Sequence, residues 1–307
     1  MISISKAIEL SGQSMSAVAT AVGVSAAQMS RVANHDYKDW ESKERTFIEE
    51  MVRHGLISMA DSGLEEVAAS GGKLWLNPAT FIPTENTMAL DELGRDLLDP
   101  STTLNSSIGV VYGRAGYGKT TSVRHFCAVN DRVIYTLFME GYTLNMLLRA
   151  LVSEFRDTPS GTFDRNLEKI RQATAVYRRL IVIDEADHCP LKVLEALRNI
   201  NEACGVPIML VGEYGLQAKM ASLPRLESRI RGRPLEYKPL SVMDVALYWK
   251  EAVGLDLTQD AKLLKKLLAR ARGDFRLLAD DTHNLVSAMN ASGVSMLTSE
   301  VLDGLHS

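Results

Sequence analysis

The stretch that most constrains this chain is Gly113-Arg114-Ala115-Gly116-Tyr117-Gly118-Lys119-Thr120. Its G-x-x-x-x-G-K-T spacing is that of a phosphate-cradling P-loop. Ile108 to Tyr112, just before it, is short, apolar and mostly β-branched, as a buried strand is. Thr121 to Asn130, just after it, carries Val123, Phe126 and Cys127 at helical spacing. The loop therefore joins a strand end to a helix start. Glycines there let successive backbone N–H groups curl round an anion, and the helix N-terminus adds its dipole. Residues Gly113 to Thr121 form the expected ATP-binding set. Lys119 would face the β- and γ-phosphates, and the Thr120 hydroxyl would hold Mg²⁺.

A second stretch completes that chemistry. Leu180-Ile181-Val182-Ile183 runs into Asp184, Glu185, Ala186 and Asp187, so an apolar strand delivers carboxylates to its C-terminal end. Open parallel α/β sheets bind ligands at that edge. Asp184 is the expected Mg²⁺ ligand, and Glu185 the group that polarises the attacking water. The D-E-A-D string invites a helicase reading. No Ser-Ala-Thr motif and no second recombinase-like half accompany it, so that reading is set aside.

Bulk properties set outer bounds. At 307 residues the chain has room for about two domains. A net charge of -4 excludes a generally basic nucleic-acid coat, though not a local basic surface. Cys127, Cys189 and Cys204 form no C-x-x-C pair, which suits reduced thiols in a cytoplasm. No run is apolar for the ~18 residues a membrane span needs, and the first residues lack a signal-peptide core. A soluble, cytoplasmic protein without a membrane partner is expected.

The chain divides into 1–57, 58–77, 78–238 and 239–307. In the first part, a helix from Ile2 to Leu10 precedes Ser14-Met15-Ser16, a helix start. Ala17 to Val22 ends at Gly23, and Ala26 to Asn34 follows. Small Ala19, Gly23 at the bend and apolar Met29 and Val32 resemble a helix-turn-helix. Gln28, Arg31 and Asn34 would then face outward, toward DNA; the alternative is a small helical bundle that serves as a protein-protein module. Trp40 to His54 reads as a helix whose Glu41, Glu44, Glu49 and Glu50 mark a solvated face. Residues 58–77 read as a linker, with Ala68-Ala69-Ser70-Gly71-Gly72 its most flexible part. Within 78–238, helices are expected from Met88 to Leu98, from Leu144 to Phe155 and up to Arg179, with strands over 132–138 and 208–213. The last part reads as helices over 242–253, 261–272, 275–291 and 299–305. Lys262, Lys265, Lys266, Arg270 and Arg272 form a basic run there.

These motifs together resemble the AAA+ ATPases. The resemblance implies an α/β fold: a P-loop AAA+ core with a parallel sheet, a small C-terminal helical lid and an N-terminal all-α helix-turn-helix domain. It implies a γ-phosphate sensor at Glu213, where the family commonly has Asn, Ser or Thr. It implies an arginine finger within Ser228-Arg229-Ile230, with Arg229 preferred to Arg225, completing a neighbour's site. It also implies a second sensor at Arg276 of Gly273-Asp274-Phe275-Arg276, where Asp274 fits an N-cap.

Ile183 to His188, the P-loop with Thr120, Ser228-Arg229-Ile230 and the overall size are similar to the Mu B-like branch, the target-DNA activators of transposable phages. That likeness implies ATP-dependent helical self-assembly on double-stranded DNA with little sequence preference. It also implies delivery of target DNA to a DDE transposase, stimulation of strand transfer, and target immunity. Arg149, Lys169, Arg171 and Lys192 lie where such a core would face DNA. A replication initiator or helicase loader shares the core and often the helix-turn-helix, and an ATP-gated switch without DNA binding is a third class.

Overall fold

A computed structural model describes residues 2–36, 40–62, 73–78, 80–101, 107–175 and 177–304. Two compact units emerge: Pro83–Pro239, and Met1–Ile82 together with Leu240–Ser307.

The first unit contains α6 (Glu85–Leu98), β1 (Ile108–Tyr112), α7 (Lys119–Val129), β2 (Val133–Leu137), α8 (Leu144–Glu154), α9 (Phe163–Ala175) and β3 (Leu180–Asp184). A 3₁₀ turn at Ala186–His188 leads to α10 (Leu191–Cys204), β4 (Ile208–Gly212), α11 (Tyr214–Ala221), α12 (Pro224–Glu227) and β5 (Leu235–Glu236). The five strands pair in parallel in the order β2-β3-β4-β1-β5. Their near-continuous apolar sequences follow from cover on both faces. Successive side chains alternate between those faces. Val110, Ile181, Ile183 and Leu210 meet Leu147, Leu151, Ile170 and Leu197 of α8, α9 and α10. Val111, Val182, Met209 and Val211 meet Leu90 and Leu97 of α6, and Val123 and Phe126 of α7.

Some boundaries differ from the sequence reading. Helix α6 begins at Glu85 rather than Met88, because the Thr84 hydroxyl accepts the Thr87 N–H and adds a turn. Helix α9 stops at Ala175, short of Arg179. Strand β4 ends at Gly212, and Glu213 instead occupies the N-cap position of α11.

The second unit joins the two ends of the chain. It contains α1 (Ile4–Ser11), α2 (Met15–Ala21), α3 (Ala26–Ala33), α4 (Trp40–Arg53) and α5 (Met59–Ser62), followed after the core by α13 (Val242–Val253), α14 (Ala261–Ala271), α15 (Phe275–Ser292) and α16 (Ser299–Gly304). Ser3, Ser14 and Ser25 each accept a first-turn N–H, and Gly23 turns between α2 and α3 at φ +73°. Ile4, Val18, Met29, Val32, Ile48 and Met51 form the apolar centre of these helices. Glu44 corrects one expectation: it is buried, not solvated, and accepts the Ile4 N–H at 2.8 Å. An orphan donor at the start of α1 and the positive end of that helix both favour the carboxylate.

In the C-terminal helices, Trp249, Leu263, Leu267, Leu278 and Met289 build a core, and Ser241 with Asp244 forms a capping box.

The segment read as a linker needs correcting at both ends, while residues 63–72 lie outside the described residues. Met59–Ser62 is helical. Residues 73–77 form a docked strap: the Leu74 N–H donates to Asn290 Oδ1 at 2.6 Å, and Asn290 Nδ2 returns a bond to the Leu74 carbonyl at 2.8 Å. The Asn77 N–H donates to the Ala252 carbonyl, and its side-chain amide to the Val52 carbonyl. Leu74 packs into the C-terminal core, whereas Trp75 packs against the N-terminal one. Apolar residues in this short run explain why it docks.

Candidate nucleotide site

The P-loop leaves β1 at Gly113, where the chain passes close to Tyr237. A Cβ on Gly113 would lie 2.9 Å from the Tyr237 carbonyl, so only glycine fits beside the end of β5. Gly116 and Gly118 take φ values of +83° and +89°, which winds Arg114, Ala115 and Tyr117 into a tight arch. Gly118 caps α7 with no side chain, leaving first-turn N–H groups at Lys119, Thr120 and Thr121 for an anion. The Lys119 ammonium is buried and donates to the Gly113 and Arg114 carbonyls at 2.7 and 3.0 Å. Burial lowers its pKa. Glu213, then Glu185, Asp184 and Asp187, oppose that shift and favour the charged form.

Those acids come from the ends of β3 and β4. Asp184 is 1% exposed, and both its oxygens are held. Oδ1 accepts the Glu185 N–H at 3.0 Å, and Oδ2 accepts the Tyr135 hydroxyl from neighbouring β2 at 3.1 Å. Glu185 follows in the left-handed region at φ +57°, a conformation that costs a non-glycine residue about 1–3 kcal/mol. Burial first, then Asp184 and Asp187, raise the pKa of its carboxyl, against His188 and Lys119.

Tyr135, Asp187, Gly212 and Lys219 are supports that motif reading did not single out. Asp187 Oδ1 accepts the Glu213 N–H at 3.0 Å, and Lys219 holds the Asp187 and Cys189 carbonyls at 2.5 and 2.8 Å. A Cβ on Gly212 would come within 2.9 Å of the Asp187 backbone nitrogen, so glycine is required by close approach. Asp187 was visible in the acidic string, but nothing in the sequence pairs it with residue 213. Tyr135 had no signal beyond its place in a strand.

The remaining candidates fall elsewhere. Arg229 lies at the start of β1: the Ile108 N–H donates to its carbonyl, and Ile230 bridges Ile108. About 16 Å of strand separates that point from the P-loop. Its guanidinium is ion-paired with Glu202 at 3.0 Å, while Arg225 is exposed on α12. Arg276 is exposed in the first turn of α15, in the second unit, and its N–H donates to the Asp274 cap.

Arg31 and Asn34 are exposed on α3 and Gln28 is half-buried; Arg149 and Lys192 are exposed on α8 and α10. Lys169 and Arg171 on α9 are ion-paired with Asp157 and Glu168, at 2.7 Å each. In the C-terminal basic run, Lys266 pairs with Asp303 and Arg270 with Asp281.

Hard oxygen donors at Asp184 and Thr120, beside a capless helix start and a lysine, suit a magnesium–nucleotide complex in their chemistry. The sheet order and the placement of loop and acids define an AAA+ P-loop core, and a family model described as "AAA domain" matches residues 103–220. The fold is shared with Cdc6p from Pyrobaculum aerophilum, at a TM-score of 0.58 and 13% identity over 76% of this chain and 71% of that one.

The chain is also similar in sequence to the B proteins of phage Mu and of a Mu-like prophage. It is 30% identical over 204 residues to the ATP-dependent target DNA activator B of Escherichia phage Mu, covering 62% of each chain. It is 27% identical over 185 residues to the Mu-like prophage FluMu DNA transposition protein B of Haemophilus influenzae, covering 56% of this chain and 62% of that one. The chain thus spans 62% of the length of each of these relatives. Among the described residues, no helix is long and apolar enough to cross a membrane.

Proposed function

We propose that this chain is an ATP-dependent, DNA-binding ATPase that assembles on double-stranded DNA with little sequence preference and delivers it to a DDE transposase. The observation that carries this reading is the convergence of Lys119, Asp184 and Glu185 in a core similar to target DNA activators. Bound as its magnesium complex, ATP would supply the phosphoryl group to be transferred to water. Thr120 and Asp184 would hold the metal, with Asp184 kept in place by Tyr135 and the Glu185 N–H. The residues from Gly113 to Thr121 would bind the phosphates, and Lys119 would neutralise their charge. Glu185, held above the usual carboxylate range, would orient water and accept its proton. Glu213 stands at the first sensor position, where its charge would act on Lys119 rather than as a hydrogen-bond donor.

The distance between Arg229 and its own loop fits a finger offered to a neighbouring subunit, with Arg276 sensing the nucleotide from the lid. Stimulated strand transfer, target immunity and work in a bacterial host cytoplasm follow from the same reading. Electron microscopy of the protein on random-sequence duplex, with ATP and with ADP, tests it. Helical filaments confined to ATP are expected. Discrete rings or binding restricted to special sequences would move the assignment to an initiator or loader, and bare DNA under both nucleotides would remove DNA from it.

A further inference from the structure

Strand β2 is an edge of the core sheet, and a groove of about 810 Å³ runs beside it. Arg124 from α7, Arg156 after α8 and Arg179 before β3 converge there, with Tyr135, Phe155 and Tyr177. Among the described residues, none of these three guanidiniums has a carboxylate within ion-pair distance, unlike Lys169, Arg171, Arg198 and Arg229. Two are laid over rings: Arg124 sits 5.6 Å from the Tyr135 centroid and Arg179 5.5 Å from that of Phe155. Stacking fixes a guanidinium while leaving N–H groups for a partner, and Arg124 is tied in addition by a hydrogen bond to the Tyr135 hydroxyl. Among the described residues, the buried Arg179 Nε has no hydrogen-bond acceptor. Arg156 takes φ +61° just past the end of α8, a position where glycine is preferred. A cation kept in a conformation that penalises its side chain points to use rather than to folding.

We propose that this groove carries a DNA strand, with Arg124, Arg156 and Arg179 each taking backbone phosphate, and that Tyr135 reports its occupancy to Asp184. The proposal rests on the reading of this chain as a DNA-binding ATPase. A phosphodiester chain suits the groove better than a single small anion, because the cations come from three different segments along an open cleft. Asp131 and Glu154 also line it, leaving a net excess of one positive charge. That balance favours separate phosphate contacts, which carry no base preference. Exposed Tyr177 offers a ring for sugar or base. Tyr135 lies under Arg124 and donates its hydroxyl to Asp184. Movement of that guanidinium onto phosphate would therefore be felt one hydrogen bond from Asp184, which would hold the metal.

Arg156→Gly tests this without threatening the fold, since glycine suits the backbone there. Anisotropy of a fluorescein-labelled random-sequence duplex, with ATP across a salt series, is the readout. Arg156→Gly should keep the wild-type melting temperature and DNA-free ATPase rate. It should bind DNA roughly fivefold more weakly, with the log–log salt slope reduced by about 0.9. Arg124→Ala with Arg156→Gly should lose two such increments and most DNA stimulation of hydrolysis. Tyr135→Phe should keep duplex affinity while losing stimulation.

Wild-type affinity and slope in both arginine variants would overturn the proposal while leaving the ATPase reading intact. If the variants bind duplex normally but lose a stabilisation conferred by inorganic phosphate, the groove takes a small anion and the proposal also falls. A wild-type protein that binds no duplex would sink both.

Discussion

The two units solve the same problem, holding distant segments together, with different means. In the core, the site rests on close backbone approach: Gly113 against Tyr237 and Gly212 against Asp187. Three strand ends then point their groups at one place. In the other unit, two helical clusters from opposite ends of the chain meet at the strap, through the side-chain amides of Asn77 and Asn290. The first arrangement concentrates charge where chemistry would occur. The second neutralises backbone groups and contains no comparable cluster among the described residues. Chemistry and cohesion are thus separable here, and they should respond to different substitutions.

The largest expected effect lies in the core. Glu185→Gln should retain nucleotide binding yet lower turnover about 10²- to 10⁴-fold, read from single-turnover hydrolysis, with little change in melting temperature. Turnover near wild type would assign water activation to another group.

Asn290→Ala makes the converse case. It removes both partners of Leu74, and leaving those backbone groups unsatisfied costs about 1–3 kcal/mol. Denaturant unfolding should show that loss while nucleotide affinity stays unchanged. An equal drop in affinity would mean the units are coupled through the strap.

The pH profile sharpens the same contrast. Glu185 must be ionised to accept a proton, so turnover should fall as pH drops through its raised pKa, at a higher pH than for an ordinary glutamate. Lys119 must be charged, so turnover should fall as pH rises through its lowered pKa, earlier than for an ordinary lysine. Asn290→Ala should move neither limb.

The smallest effect concerns thiols. Burial pushes Cys189 up to about 12, so alkylation near neutral pH should be negligible until the core unfolds. Rapid labelling of the folded chain would show the end of β3 opening locally.

How much could be read beforehand follows the same division. The P-loop and the acidic strand end are local strings in which residue type dictates geometry, so Lys119, Thr120, Asp184 and Glu185 were legible. Capping residues Ser14 and Asp274 were legible for the same reason. Tyr135 on Asp184, Asp187 on residue 213 and Glu44 on Ile4 are partnerships across long stretches of chain, which no short window contains. The strap reads as a linker because small and polar residues precede it, while Leu74 and Trp75 carry the opposite signal. The ion pair of Lys169 with Asp157, twelve positions away, is another partnership that no short window contains.

The strap also orders events during synthesis. Leu74 and Asn290 are 216 positions apart. At about 5–20 residues per second, roughly 10 to 40 s pass between the appearance of one and of the other. Over that interval the Leu74 amide can bond only water or another partner, while residues 83–239 can emerge and form their own sheet. The strap therefore waits on the C-terminal helices for its partners and for part of its packing surface. A chain stopped before α15 would keep its nucleotide core and leave Leu74 without a clasp, a natural foothold for chaperones and proteases.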